Sequence, residues 1–410
     1  MSRRWSRVHG PHNGRGTPSR TVEDHSNEVG SPVRPHRSQV AVAIERSVPV
    51  RSVRKLVHGR LVTCHARRMP TPAPGAPVPR AELDELLDLA GATGNRDLLV
   101  DILRSAVGLA GDDVSRLDLK ITASALREMR TAFATFRPYE DRRKVTMFGS
   151  ARTRPDDPLY DQARRLASEL ADRDWMVITG AGPGIMAAGL EGAGRENSFG
   201  VTIRLPFEES ANEFIEGDDK LVSMKYFFTR KLMLVKESSG FVALPGGFGT
   251  QDETFELFTL QQTGKSVPAP VVLLDTPGGT YWHSWLDFVR AELVDGGLVS
   301  EGDLGLFLVT DDVDEACDEI VGFYRNYHSI RWAGDQLVVR MRHAPDRSQL
   351  EAFNDAHGDL VDGRIEVIEP TPAERSSRDH LELARLAMTY DKFQQSSIHA
   401  LIRDVNGWGE

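Results

Sequence analysis

The residue types best able to do chemistry in this 410-residue chain gather in three glycine-rich stretches and one basic pair. The stretch 245-PGGFGTQDETFE-256 follows the apolar run 240-GFVAL-244, so Gly246, Gly247 and Gly249 stand where a strand hands over to a helix. A helix N-terminus carries about half a positive charge and several free N–H donors, so it holds a phosphate without needing a lysine. Glu253 has two competing readings. With Thr250 it forms a T-x-x-E capping box, in which the carboxylate only satisfies a backbone N–H; alternatively it is a reacting carboxylate. The second stretch, 180-GAGPGIM-186, includes Gly182, Gly184 and Met186 and follows the apolar run 175-WMVIT-179. The third, 148-FGSAR-152, offers the backbone of Gly149 and Ser150 together with a hydroxyl. In 226-YFFTRKLMLVKES-238, Arg230 and Lys231 lie near the start of a helix. A guanidinium there could pair with Glu253 or grip a ligand phosphate with two parallel hydrogen bonds.

The elements that must position these groups follow from hydrophobic periodicity. Short apolar runs at 144–149, 175–179, 199–203, 221–226, 240–244, 270–274 and 306–309 read as strands. Amphipathic stretches near 158–173, 183–195, 228–237, 250–263, 281–295 and 312–325 read as helices. Continuous apolar strands alternating with crossover helices imply a doubly wound, Rossmann-like α/β domain with a parallel sheet of about seven strands. Its ligands bind at the carboxyl ends of the strands, where all three glycine stretches fall. Ahead of it, residues 79–140 predict a helical preface over 81–90, 97–110 and 115–136. Beyond it, 328–410 predicts a small α+β extension, with strands at 336–342 and 364–369, a helix at 347–357 and a final helix over roughly 374–402. Residues 1–78 are rich in Arg, Ser, Pro, His and Gly without a sustained period and read as a disordered basic leader, with Met69 as an alternative start.

Charge narrows the partners. Residues 1–68 carry fourteen Lys and Arg against four Asp and Glu, leaving 36 against 56 in the rest of a chain whose net charge is −10. So acidic a body argues against nucleic-acid binding, and any phosphate is held locally. Two cysteines, Cys64 and Cys317, without a C-x-x-C pair offer neither a disulfide framework nor a thiolate metal site. No apolar run reaches the length of a membrane span, and no secretory signal is evident, so a cytoplasmic protein is expected.

Several chemistries fail on spacing. Gly180, Gly182 and Gly184 give G-x-G-x-G with Ile185 where a dinucleotide fingerprint needs its third glycine, which disfavours a nicotinamide enzyme. The tripeptide 264-GKS-266 has Thr259 where a P-loop needs glycine. Taken together and in order, 149-GS-150, 180-GAGPGIM-186, 229-TRK-231 and 245-PGGFGTQDE-253 resemble the LOG ("lonely guy") family over roughly residues 141–327. These phosphoribohydrolases of nucleoside 5′-monophosphates were long mislabelled lysine decarboxylases. The hallmark PGGxGTxxE and the upstream Arg-Lys pair are intact; Gly-Ala-Gly replaces the frequent Gly-Gly-Gly, and Asp252 replaces a second Glu.

The resemblance implies cleavage of an N-glycosidic bond to a free base and ribose 5-phosphate; the sequence holds no metal-ligand cluster, so hydrolysis without metal or cofactor is expected. It matches Arg230 and Glu253 to the catalytic pair, and Gly246, Gly247, Gly249 and Thr250 to the phosphate-binding turn. Gly149, Ser150, Gly182, Gly184, Met186 and Lys231 are assigned to the nucleotide pocket. The chemistry agrees: loss of a base builds positive charge on the sugar, which a carboxylate stabilises directly or by orienting water. The extra segments suggest a general nucleotide nucleosidase, with a possible nucleotide effector, over a cytokinin-activating enzyme. A non-catalytic nucleotide sensor is the alternative of another class. A homo-oligomer is also expected, as in the family.

Overall fold

The computed structural model describes residues 54–57, 60–63, 78–204, 211–391 and 394–409. Within the leader, β1 (Arg54–Val57) and β2 (Arg60–Thr63) pair antiparallel; the rest of that stretch up to residue 77 lies outside the described residues.

Three helices follow, close to the expected spans: α1 (Arg80–Leu89), α2 (Arg96–Gly111) and α3 (Arg116–Phe136). A reciprocal box fixes the start of α3. Ser115 accepts from the Asp118 N–H at 3.2 Å, and Asp118 accepts from the Ser115 N–H at 3.1 Å. Ala125, Glu128, Ala132 and Phe136 form its buried stripe, and the Phe136 ring stacks on Phe199 with centroids 4.3 Å apart.

The alternation of strand and helix then runs β3 (Lys144–Phe148), α4 (Pro158–Asp172), β4 (Met176–Thr179), α5 (Ile185–Ala193), β5 (Ser198–Ile203) and β6 (Leu221–Met224). It continues with α6 (Phe227–Lys236), β7 (Gly240–Ala243), α7 (Phe248–Gln262), β8 (Val271–Leu274), α8 (Tyr281–Phe288), β9 (Leu308–Thr310) and α9 (Val313–Gly322). All seven strands from β3 to β9 are parallel, in the order β6-β5-β4-β3-β7-β8-β9. The order reverses between β3 and β7, so their carboxyl ends flank the switch-point crevice of a doubly wound sheet.

Successive strand residues point to opposite faces. Val145, Met147 and Val177 join a core with α4, α5 and α9, whereas Phe148, Met176 and Ile178 join one with α3, α6, α7 and α8. The first core continues without a break into the C-terminal extension. There β10 (Tyr327–Ala333), β11 (Gln336–Met341), β12 (Val361–Val367) and β13 (Ala384–Tyr390) form an antiparallel sheet in the order β10-β11-β13-β12. Helices α10 (Arg347–His357), α11 (Pro372–Ser377) and α12 (Ile398–Asn406) complete it.

The single final helix expected over 374–402 is therefore incorrect: the span holds α11, β13 and the start of α12. The Ala, Leu and Met residues of 383-LARLAMTY-390 suit a helix, but here Arg385 to Met388 are buried between two neighbouring strands. Arg385 is fully buried and pairs with Glu374 at 3.2 Å, and Arg340 meets the same carboxylate at 2.6 Å. Burial alone would raise the Glu374 pKa; hydrogen bonds from Thr371, Arg340 and Arg385 outweigh it and hold the carboxyl down to about 2.

Candidate active site

Helix α7 begins two residues before the point expected from sequence. Its N-cap is Gly247, in extended conformation, and no side chain caps it. Thr250 is the third helical residue, its N–H donating to the Gly247 carbonyl at 3.1 Å, and Glu253 the sixth. The capping box between Thr250 and Glu253 is thus absent, because two consecutive glycines let the chain turn earlier than a threonine cap requires. Phe248 projects into solvent at 96% exposure, while Thr250 and Glu253 turn inward at 6% and 7%. Glu253 is free of the local task that the sequence allowed it.

The loops converge on this helix start. The Ser150 N–H donates to the Pro245 carbonyl at 3.3 Å, joining the ends of β3 and β7. That backbone donor is therefore committed rather than open to a ligand as the sequence suggested. The Ser150 carbonyl accepts from the Ile185 N–H at 3.0 Å, which ties in the loop after β4. Gly184 at φ +68° presses on the same carbonyl, and a Cβ there would stand 2.3 Å from it. Gly149 packs against Ile185, and Gly182 packs against the Met186 thioether while its carbonyl accepts from Asn212 Nδ2 at 2.8 Å.

Arg230 lies in the first turn of α6. Its Nε donates to the Val201 carbonyl of β5 at 3.0 Å, and its guanidinium lies against Gly180, where a Cβ would come within 2.0 Å of the terminal nitrogen. Lys231 faces α7: its Nζ stands 2.5 Å from Glu256, 2.9 Å from Asp252 and 3.7 Å from Glu253. Burial lowers the Lys231 pKa, but its hydrogen bonds to Glu256 and Asp252 prevail and raise it, so the ammonium stays charged. Burial pushes Glu253 up to about 7 against the pull of Lys231 and then Arg230. A carboxylate that ionises near neutrality is equipped to exchange protons there.

Two residues of this crevice escaped the sequence reading. Tyr281, at the start of α8, donates its hydroxyl to the Gly246 carbonyl at 2.6 Å and accepts from Gln251 Nε2 at 2.8 Å, bracing the glycine turn from the side. Asn212 holds the loop after β4 through Gly182 and through its own N–H to the Ala181 carbonyl at 2.9 Å. Nothing in a lone Tyr or Asn signals such a role; for Tyr281, its place just beyond a strand end was the available clue.

The matching family model, described as possible lysine decarboxylase, covers residues 184–320. The cytokinin riboside 5′-monophosphate phosphoribohydrolase of Mycobacterium marinum is 28% identical over 170 residues, 41% of this chain and 87% of that protein. A protein of Oryza sativa subsp. japonica named "Probable cytokinin riboside 5′-monophosphate phosphoribohydrolase" is 30% identical over 172 residues, 41% of this chain and 78% of that one. Among solved structures, the molybdenum cofactor carrier protein from Chlamydomonas reinhardtii aligns at 21% identity over 43% of this chain and 93% of that chain, with a TM-score of 0.30. The Arg-Lys pair, the glycine turn at 246–249 and the buried glutamate fall within the matched residues 184–320, whereas Gly149, Ser150, Gly180 and Gly182 precede them; the chain belongs to the LOG family.

Proposed function

We propose that the protein hydrolyses the N-glycosidic bond of nucleoside 5′-monophosphates such as AMP, releasing the base and ribose 5-phosphate. The observation that carries this reading is Glu253: a buried carboxylate with a pKa near 7, on the helix whose glycine-rich start is at the switch point of the sheet. It lies five residues beyond Phe248, about 7.5 Å along the helix axis at 1.5 Å per residue. That is comparable to the reach from a 5′-phosphate to the anomeric carbon.

In the reaction, the 5′-phosphate rests on the N-terminus of α7, beside Gly246, Gly247, Gly249 and Thr250. The bond from C1′ to the base nitrogen breaks with its electrons leaving on the base, and the sugar takes up positive charge. Ionised Glu253 stabilises that charge and accepts a proton from the water that adds to C1′; the departing base gains a proton in turn. Lys231 and Arg230 keep enough of Glu253 ionised for this at neutral pH, and Arg230 also faces the nucleotide from beneath Gly180. Gly149, Ser150, Gly182, Gly184 and Met186 shape the wall that receives base and ribose.

Comparing turnover of AMP and adenosine tests the reading. A phosphate-anchored enzyme cleaves AMP far faster, and equal rates would remove the helix N-terminus from the account. The names of the relatives favour an N6-isoprenylated base as the second reading, and the ratio of rates on AMP and N6-isopentenyl AMP decides between them. Exposed Phe227, Phe228 and Phe248 around the crevice support contact with a second copy of the chain. Sedimentation should then give a homo-oligomer, and a monomer at micromolar concentration would count against it.

A further inference from the structure

A second cavity, of about 180 Å³, lies at the seam between the Rossmann sheet and the C-terminal extension, away from the strand ends that form the first site. Its walls come from the last turn of α7 and the loop after it, from β10 and from the first turn of α12. The tripeptide 264-GKS-266, which is not a P-loop, lines it.

Gln261 is the informative residue. It is 4% exposed, and its Oε1 accepts from His399 Nε2 at 2.6 Å and from the Ala269 N–H at 3.3 Å. The Ala269 N–H can only donate, so the atom it meets is the amide oxygen, and His399 Nε2 facing the same acceptor is the donor of its pair. Gln261 Nε2 is then left with no hydrogen-bond partner among the described residues. An unmet buried donor of this kind is costly unless an acceptor reaches it.

The charges say what that acceptor is. Lys265 and Arg331 line the cavity, and no Asp or Glu does among the described residues; Arg331 is paired with Asp379 at 2.9 Å, leaving Lys265 as the principal charge. The N-terminal turn of the nine-residue α12 adds its positive end, opposing the negative end of α7. We propose that this cavity is a binding site for a small oxyanion, a phosphate or carboxylate group on a compact body. One anion oxygen accepts from Gln261 Nε2, Lys265 supplies the charge, and Trp332 lines the same cavity. The volume excludes a whole nucleotide. Because Gln261 and Glu253 sit eight residues apart on one face of α7, an occupant touches the same rigid helix that carries the reacting carboxylate.

The test is calorimetric titration of inorganic phosphate, and separately of benzoate, into the full chain, with the binding lost in Gln261→Glu assigned to this cavity and the binding it retains to the first site. Saturable binding of at least one anion is expected, phosphate pointing to a phosphorylated ligand and benzoate to a carboxylate. Gln261→Glu keeps the acceptor for His399 and Ala269 but replaces the orphan donor with an acceptor, so it should abolish binding at this cavity. Lys265→Ala, at an exposed side chain, should weaken it about tenfold and serves if Gln261→Glu does not fold. Absence of saturable binding for both anions, or Lys265→Ala and Gln261→Glu proteins that bind as tightly as the parent, overturns the proposal.

Discussion

Replacing Glu253 with Gln should make the protein more stable, and increasingly so as pH rises. The carboxyl ionises at about 7 in the folded chain against an ordinary value of 4.5, because burial penalises its charge more than Lys231 and Arg230 favour it. A folded-state pKa above the unfolded one means that the associated stability is fully present below pH 4.5 and is lost as pH climbs through 7. At about 1.36 kcal/mol for each tenfold change in the ionisation constant, the loss between pH 5 and pH 8 amounts to roughly 1–3 kcal/mol. Gln has nearly the same shape and no such loss. Urea unfolding of both proteins at pH 5, 6, 7 and 8 isolates the effect, because every other titrating group cancels in the difference. The variant should be close to wild type at pH 5 and clearly more stable at pH 8. A difference that stays flat, or that reverses, would show Glu253 to be ionised and satisfied in the fold, which removes the basis for its chemistry.

Two further outcomes follow from the same geometry. Lys231→Ala removes the positive charge that most lowers the Glu253 pKa, so the rising limb of the pH profile of kcat/KM, expected near pH 7 in wild type, should move up by about one unit; an unmoved limb would make Lys231 a bystander. Tyr281→Phe deletes the hydroxyl that bridges Gly246 and Gln251, which should raise KM for AMP several-fold, about 1 kcal/mol, with little change in kcat. An unchanged KM would show that the glycine turn needs no brace.

Much of the fold was legible because its signals are local and redundant. The seven parallel strands announced themselves as continuous apolar runs, and α3 as an apolar stripe at helical spacing. Where one residue could serve two purposes, sequence failed. Thr250 and Glu253 satisfy the spacing of a cap, yet the chain uses the glycines before them to start α7 early, and no periodicity distinguishes the two. Strand β13 was missed for a different reason: its burial depends on neighbours distant in sequence, and a fully buried arginine such as Arg385 contradicts every local expectation until Glu374 is seen beside it. In the site, the glycine motifs and the basic pair were readable as types. What only the structure supplied was the division of labour, with Lys231 standing beside Glu253 and Arg230 tied to Val201 beneath Gly180.

The most direct test is to incubate wild-type and Glu253→Gln proteins with AMP and quantify adenine and ribose 5-phosphate. The account predicts equal amounts of the two products from the wild type and essentially none from the variant, which still folds and still binds AMP. A fully active Glu253→Gln enzyme, or a wild type that releases no base from any common nucleoside monophosphate, would contradict it.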